Sequence, residues 1–174
     1  MTGSFRPAGD EYAPFYAGYV EAVGEGDPMT LLKTQMKELE SLLDGVDEER
    51  GLGPYAPGKW SVKEVLIHLI DAERVFSTRA LRFARGDETP VPGYDENAWA
   101  PASRADRRTL ADILDEVRAV RAGTVALFRS LEGADFRKRG IADDQPVSVR
   151  ALLWIIPGHM AHHLGVLRDR YGLG

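Results

Sequence analysis

Three of the chain's four histidines fall within five positions, in Gly158-His159-Met160-Ala161-His162-His163. The fourth, His68, lies about ninety residues upstream in Val65-Leu66-Ile67-His68-Leu69-Ile70. Residues four apart on a helix are offset by only about 40° of rotation. His159 and His163 therefore project side by side, on the stripe set by Leu152, Ile156 and Val166 or Leu167. Two imidazoles so placed can share one divalent ion, as in the helical His-x-x-x-His pairs of zinc enzymes. His162 lies about 60° from His159 in the other sense and faces the edge of the stripe, so it is set aside as a ligand. The pair alone is equally compatible with core or surface histidines satisfied by a carbonyl or a carboxylate. His68 shifts the balance, because it too falls on an apolar helix face. Three neutral imidazoles without partners would each leave a desolvated polar group, whereas one shared cation satisfies all three. His68, His159 and His163 are therefore read as the ligands of one divalent metal ion.

Three protein ligands leave one open position on a tetrahedral ion and three on an octahedral one, which is the mark of a site that acts through bound water or substrate. Imidazole ligation suits zinc, nickel, copper or iron, with zinc and nickel placed first. The chain has no cysteine, which removes disulfides, thiolate metal sites and a cysteine nucleophile. No Gly-x-Ser-x-Gly elbow, Walker loop or dinucleotide fingerprint occurs, and no glutamate follows His159 as a metalloprotease helix would require. Asp71 and Glu73, a turn beyond His68, are in place to orient an imidazole, although a plain surface charge is the preferred reading of Glu73. Tyr94, Asp95 and Trp99 are candidates to line a pocket mouth, with loop packing as their alternative role. No general base is identified.

Four helices must position these groups. The first is expected from about Met29 to Leu43, with Leu32, Met36, Leu39 and Leu43 at helical spacing after Asp27-Pro28. The second starts at about Ser61, where Ser61 and Glu64 form a capping box, and stops at Gly86. The third covers roughly Thr109 to Leu131, with Arg118, Arg121 and Arg129 expected to face outward. The fourth runs from Val149 to Tyr171; Pro157 within it predicts a kink or bulge ahead of His159, and Pro-Gly would let a neighbouring backbone approach closely. Residues 87–106 form the longest unstructured connection, placed to close over a pocket. Residues 134–147, with Arg137-Lys138-Arg139, are read as a polar, solvated connection. The fold class is all-α, a four-helix bundle of up-and-down type. Residues 1–28 form an aromatic, proline-containing segment packed on the bundle, with a short helix between Tyr12 and Val23, and residues 29–174 form the bundle domain.

At 174 residues the chain suits one domain with one substantial core. Its net charge of -5, with no basic cluster able to follow a phosphate backbone, argues against nucleic-acid binding. No basic leader and no apolar run of membrane-spanning length is present, so the expectation is a cytoplasmic protein without membrane contact, acting on a small-molecule substrate.

Tyr55-Ala56-Pro57-Gly58-Lys59-Trp60-Ser61-Val62-Lys63-Glu64-Val65-Leu66-Ile67-His68-Leu69, then Glu73-Arg74-Val75-Phe76 and Arg79, and finally Gly158-His159-Met160-Ala161-His162-His163-Leu164, resemble the DinB/YfiT-like superfamily. The resemblance extends from about Arg6 to Tyr171. It implies a four-helix bundle whose metal centre combines one histidine of the second helix with an i, i+4 pair of the last; those positions are His68, His159 and His163. It also implies a homodimer. Its better-understood members are metal-dependent enzymes using low-molecular-weight thiols, such as thiol S-transferases and a mycothiol-dependent isomerase, and some are named for induction by DNA damage. A thiol S-transferase acting on small electrophiles, with a low-molecular-weight thiol as cosubstrate, is the first expectation. A hydrolase using metal-bound water, a non-catalytic metal- or ligand-binding bundle of the stress response, and a metal-free structural dimer remain open.

Overall fold

The structure, a computed structural model, describes residues 5–174. The first four residues of the segment expected over 1–28 therefore lie outside the described residues. Seven α-helices and one hairpin follow: α1 (Ala17–Ala22), α2 (Pro28–Leu42), α3 (Glu48–Gly51), α4 (Val62–Ala84), α5 (Glu96–Ala102), α6 (Leu110–Arg129), β1 (Arg139–Ala142), β2 (Gln145–Ser148) and α7 (Val149–Asp169). Each long helix begins at a side chain that accepts its free N–H groups: Asp27 for α2, Ser61 for α4, Thr109 for α6 and Ser148 for α7. At Ser61 the bond is reciprocal, the Glu64 carboxylate accepting from the Ser61 N–H at 2.7 Å. Gly45 and Gly86, both with positive φ, follow the ends of α2 and α4.

The four long helices form a bundle whose order in space differs from their order in the chain. Helix α4 packs against α6 and α7, and α2 packs against α7 and, more lightly, α6. Among the described residues α2 stands diagonally across from α4, and α6 from α7. The second and fourth long helices are thus direct neighbours, which sets His68 against His159.

Helix α1 lies on α7, and the approach is close because residue 158 is glycine. A Cβ there would run into the Tyr19 carbonyl. The expectation of a near backbone at Pro157-Gly158 is met, but α7 continues through Pro157 as α-helix without a break. The amide of Gln35 donates to the Pro157 carbonyl at 2.7 Å, tying α2 to the turn that leads into His159.

Four sequence expectations need correction. The connection over 87–106 is not unstructured: Asp95 accepts from the N–H groups of Asn97 and Ala98 and starts α5, and a 3₁₀ turn follows at Ala105–Arg107. Residues 134–147 are not a plain polar connection, because most of them build the antiparallel hairpin β1–β2, in register Arg139↔Ser148. Asp143 and Asp144 both take left-handed φ values, 54° and 57°, as a two-residue primed turn requires. Val91 adds to this hairpin, donating to the Ile141 carbonyl and accepting from the Asp143 N–H, each at 3.0 Å. Finally, Arg121 does not face outward and Glu73 is not a surface charge. Both are buried, and the Arg121 guanidinium makes bonds of 2.8–3.0 Å to the two Glu73 oxygens while also donating to the Leu32 carbonyl.

Candidate metal centre

His68 comes from the middle of α4, and His159 and His163 come from successive turns of α7. Their positions follow from the apolar faces that carry them, since Leu66 and Ile70 on α4 and Met160 and Leu164 on α7 are all sealed in the core. The three rings converge, with centroids 4.6–4.9 Å apart. The Nε2 atoms of His68 and His159 are 2.9 Å apart, and one nitrogen from each ring falls within 4.8 Å of the others. His162, set aside in the sequence, is exposed and turns its ring to Tyr19, with 5.6 Å between centroids.

The cluster sits in an aromatic shell. Trp60 flanks His68 at 4.9 Å, and Tyr19 and Phe76 flank His159 at 5.2 and 6.0 Å between centroids. Trp60 is anchored from behind by the Tyr171 hydroxyl, which donates to its carbonyl at 2.6 Å. Burial in this shell disfavours imidazolium. It holds His68 down to about 4, despite partial opposition from the Glu96 charge, and His163 down to about 3. Burial likewise places His159 well below the ordinary histidine value. All three rings are neutral at pH 7, the form that has a lone pair to give a metal.

The donor set fits a divalent cation. The buried Nδ1 of His163 has no hydrogen-bond partner, and the short Nε2–Nε2 approach turns the polar edges of His68 and His159 toward one another. An ion about 2.1 Å from each nitrogen needs the widest gap to close by on the order of 1 Å, within reach of small side-chain rotations. Among the described residues no carboxylate joins the cluster itself. Glu73, considered as an orienting group, is committed to Arg121.

The cluster opens onto a cavity of about 300 Å³ between α1, α4, α7 and the segment leading into α5. Tyr16, Tyr19, Phe76, Arg79, Tyr94 and Glu96 line it. Of the loop residues singled out in the sequence, Tyr94 enters the cavity; Trp99 packs on Tyr94 with 4.8 Å between centroids and stays outside, and Asp95 caps α5. Sequence reasoning gave no role to Tyr19, Arg79 or Glu96. Arg79 was nevertheless legible, because eleven residues from His68 amount to three helical turns and about 20°, the same face of α4. Tyr19 and Glu96 left no such trace, since they reach the cavity from short helices without an apolar period.

The comparisons with known proteins agree with this architecture. The family model described as the DinB superfamily matches residues 31–167. "Putative metal-dependent hydrolase GK0616" of Geobacillus kaustophilus is 28% identical over 173 residues, covering 95% of this chain and 94% of that protein. A protein of Bacillus licheniformis with the same kind of name is 30% identical over 142 residues, 79% of each chain. The solved structure of YfiT from Bacillus subtilis, described as "a probable metal-dependent hydrolase with an unusual four-helix bundle topology", superposes with a TM-score of 0.74 at 22% identity, over 84% of this chain and 87% of that one. With the family model spanning most of the sequence and the bundle matching in three dimensions, this chain belongs to the DinB superfamily.

Proposed function

We propose that this protein is a metal-dependent hydrolase of a small molecule, with His68, His159 and His163 as the metal ligands. The observation that carries the proposal is the meeting of three neutral imidazoles, two buried and one half-buried, at one wall of an aromatic cavity. The names borne by the relatives agree with it. When bound, a divalent ion supplies Lewis-acid polarisation of a substrate carbonyl and a nucleophile at neutral pH. The protein's own groups do the rest. Glu96, at the first position of α5, is one of two cavity carboxylates, with Asp143, and the one whose charge reaches His68; it takes the proton released as water adds to the scissile bond. Returned to the leaving group, that proton completes the hydrolysis. Burial pushes the phenols of Tyr19 and Tyr94 up, so both remain protonated donors for the oxygen on which negative charge develops. The thiol S-transferase expected from the resemblance would use the same ligands, but no cavity residue distinguishes a thiol from water, so hydrolysis is the reading adopted.

The test combines elemental analysis of the native protein with turnover of a panel of small esters and amides, run with and without a thiol. One zinc or nickel per chain is expected, lost in His159→Ala together with activity. Glu96→Gln is expected to keep the metal and lose at least about 100-fold in kcat. A metal-free native protein would overturn the ligand assignment. Undiminished turnover by Glu96→Gln would overturn the role of that carboxylate, and turnover only with thiol would replace hydrolysis by transfer.

A further inference from the structure

Three basic side chains of this protein are buried almost completely: Lys63 at 3%, Arg79 at 5% and Arg121 at 4% exposure. A buried charge is costly unless it is paired and hydrogen-bonded. Lys63 meets Glu48 at 2.6 Å and donates to the Arg108 carbonyl, and Arg121 holds both oxygens of Glu73. Arg79 differs. Among the described residues no carboxylate is in ion-pair contact with it; one terminal nitrogen donates to the Pro92 carbonyl at 2.9 Å, and the Tyr16 phenol lies beside the guanidinium. Among the described residues it is thus a buried cation without a carboxylate in contact, and it lines the same cavity as the three histidines.

Its placement is fixed from three sides. Arg79 shares the His68 face of α4, about 16 Å further along the axis, and helical side chains lean back toward the N-terminus, here toward the histidines. The Pro92 carbonyl that it holds belongs to the strand-like run that Val91 pins to the β1–β2 hairpin. Between Arg79 and the histidines the walls are the rings of Tyr16, Phe76 and Tyr94. One end of the cavity is thus a cation with hydrogen-bonding capacity to spare, the middle is aromatic, and the far end is the histidine cluster.

We infer that Arg79 is the specificity residue of this site and that the substrate is a small monocarboxylic acid, its carboxylate on the guanidinium and its scissile bond at the histidines. The inference rests on the hydrolase reading for the scissile bond, but the binding of the acid does not. A planar carboxylate matches the guanidinium fork. A single negative charge is favoured over a phosphate dianion because Glu96 and Asp143 also border the cavity. The volume of about 300 Å³ equals roughly ten waters at about 30 Å³ each, so the substrate has on the order of ten non-hydrogen atoms.

The probes are 3-phenylpropanoate and its neutral isostere 3-phenylpropanamide, titrated calorimetrically into the native protein and into protein stripped with a chelator. The acid is expected to bind at least about ten-fold more tightly than the amide in both preparations. Arg79→Gln is expected to abolish that preference by weakening the acid far more than the amide, with circular dichroism and metal content as checks on folding. Should Arg79→Gln not fold, Arg79→Lys, which keeps the charge but not the fork, is expected to weaken the acid several-fold and spare the amide. Equal binding of acid and amide, or a preference that survives loss of the guanidinium fork, overturns the inference. A preference that disappears with the metal also overturns it, because the carboxylate would then sit on the ion. A native protein without metal that still prefers the acid would sink the hydrolase reading and leave Arg79's role standing.

Discussion

At the scale of single residues, this protein resolves its buried charges in two ways. Glu73 and Arg121 are locked to each other between α4 and α6, with Gln35 and the Leu32 carbonyl of α2 accepting the remaining guanidinium donors. Breaking such a pair from one side strands the other charge in the core. Glu73→Ala is therefore expected to cost about 3–5 kcal/mol in urea denaturation, and Glu73→Met combined with Arg121→Met distinctly less, since two apolar side chains leave nothing unpaired. This pair was not legible in the sequence. The partners are 48 residues apart, and each, taken alone on its own helix, reads as an ordinary solvent-facing charge. The histidines were legible for the opposite reason: they lie on helix faces that are otherwise apolar, so an imidazole there demands a partner.

Among the elements, the long helices were the most readable part of the chain because their ends are written in side chains. Asp27, Ser61 and Thr109 accept the first free N–H groups, and Gly45 and Gly86 follow the ends of α2 and α4. The short elements escaped. Helix α5 has seven residues with Pro101 among them, too few for a period to emerge, and the hairpin turns on Asp143-Asp144 rather than on a glycine pair. A second element-scale feature concerns the start of α7. Burial alone would raise the Glu11 carboxyl, but the bonds it accepts from Arg150, Ser148 and the Ala8 N–H outweigh burial and hold it below its ordinary value of 4.5. A carboxylate lowered in the folded state stabilises the fold above its unfolded value. That contribution is lost as pH falls through the folded one. Wild type is thus expected to lose stability from about pH 4.5 downward, and Glu11→Gln to show a flatter profile there with lower stability at pH 7, measured by chemical denaturation across pH.

For the whole molecule, the proposed ligand set would link metal binding to folding, because His68 and the His159–His163 pair come from two helices that touch only in the native bundle. On that assignment, a divalent ion at 100 times its dissociation constant is expected to add about 2.7 kcal/mol to the folded state. In a domain of this size that corresponds to a rise in Tm of roughly 5–10 °C. A chelator is expected to reverse the rise in the wild type and to leave His163→Ala unmoved, as read by scanning calorimetry. The overall architecture followed from the four helical periods, but the order of helices around the bundle did not. Nothing in a single helix's pattern says which of three companions it will face, and here α4 passes over α2 to choose α6 and α7.

That choice of neighbours bears on how the protein is made. His68 leaves the ribosome 91 residues before His159, a delay of roughly 5–20 s at ordinary rates of synthesis. Throughout it, the side of α4 destined for α7 has nothing to pack on and a lone imidazole to offer. The three imidazoles cannot meet until α7 is made, so on the proposed ligand set loading would belong to the finished polypeptide. A cell short of the right metal would accumulate chains whose last docking step is the weakened one.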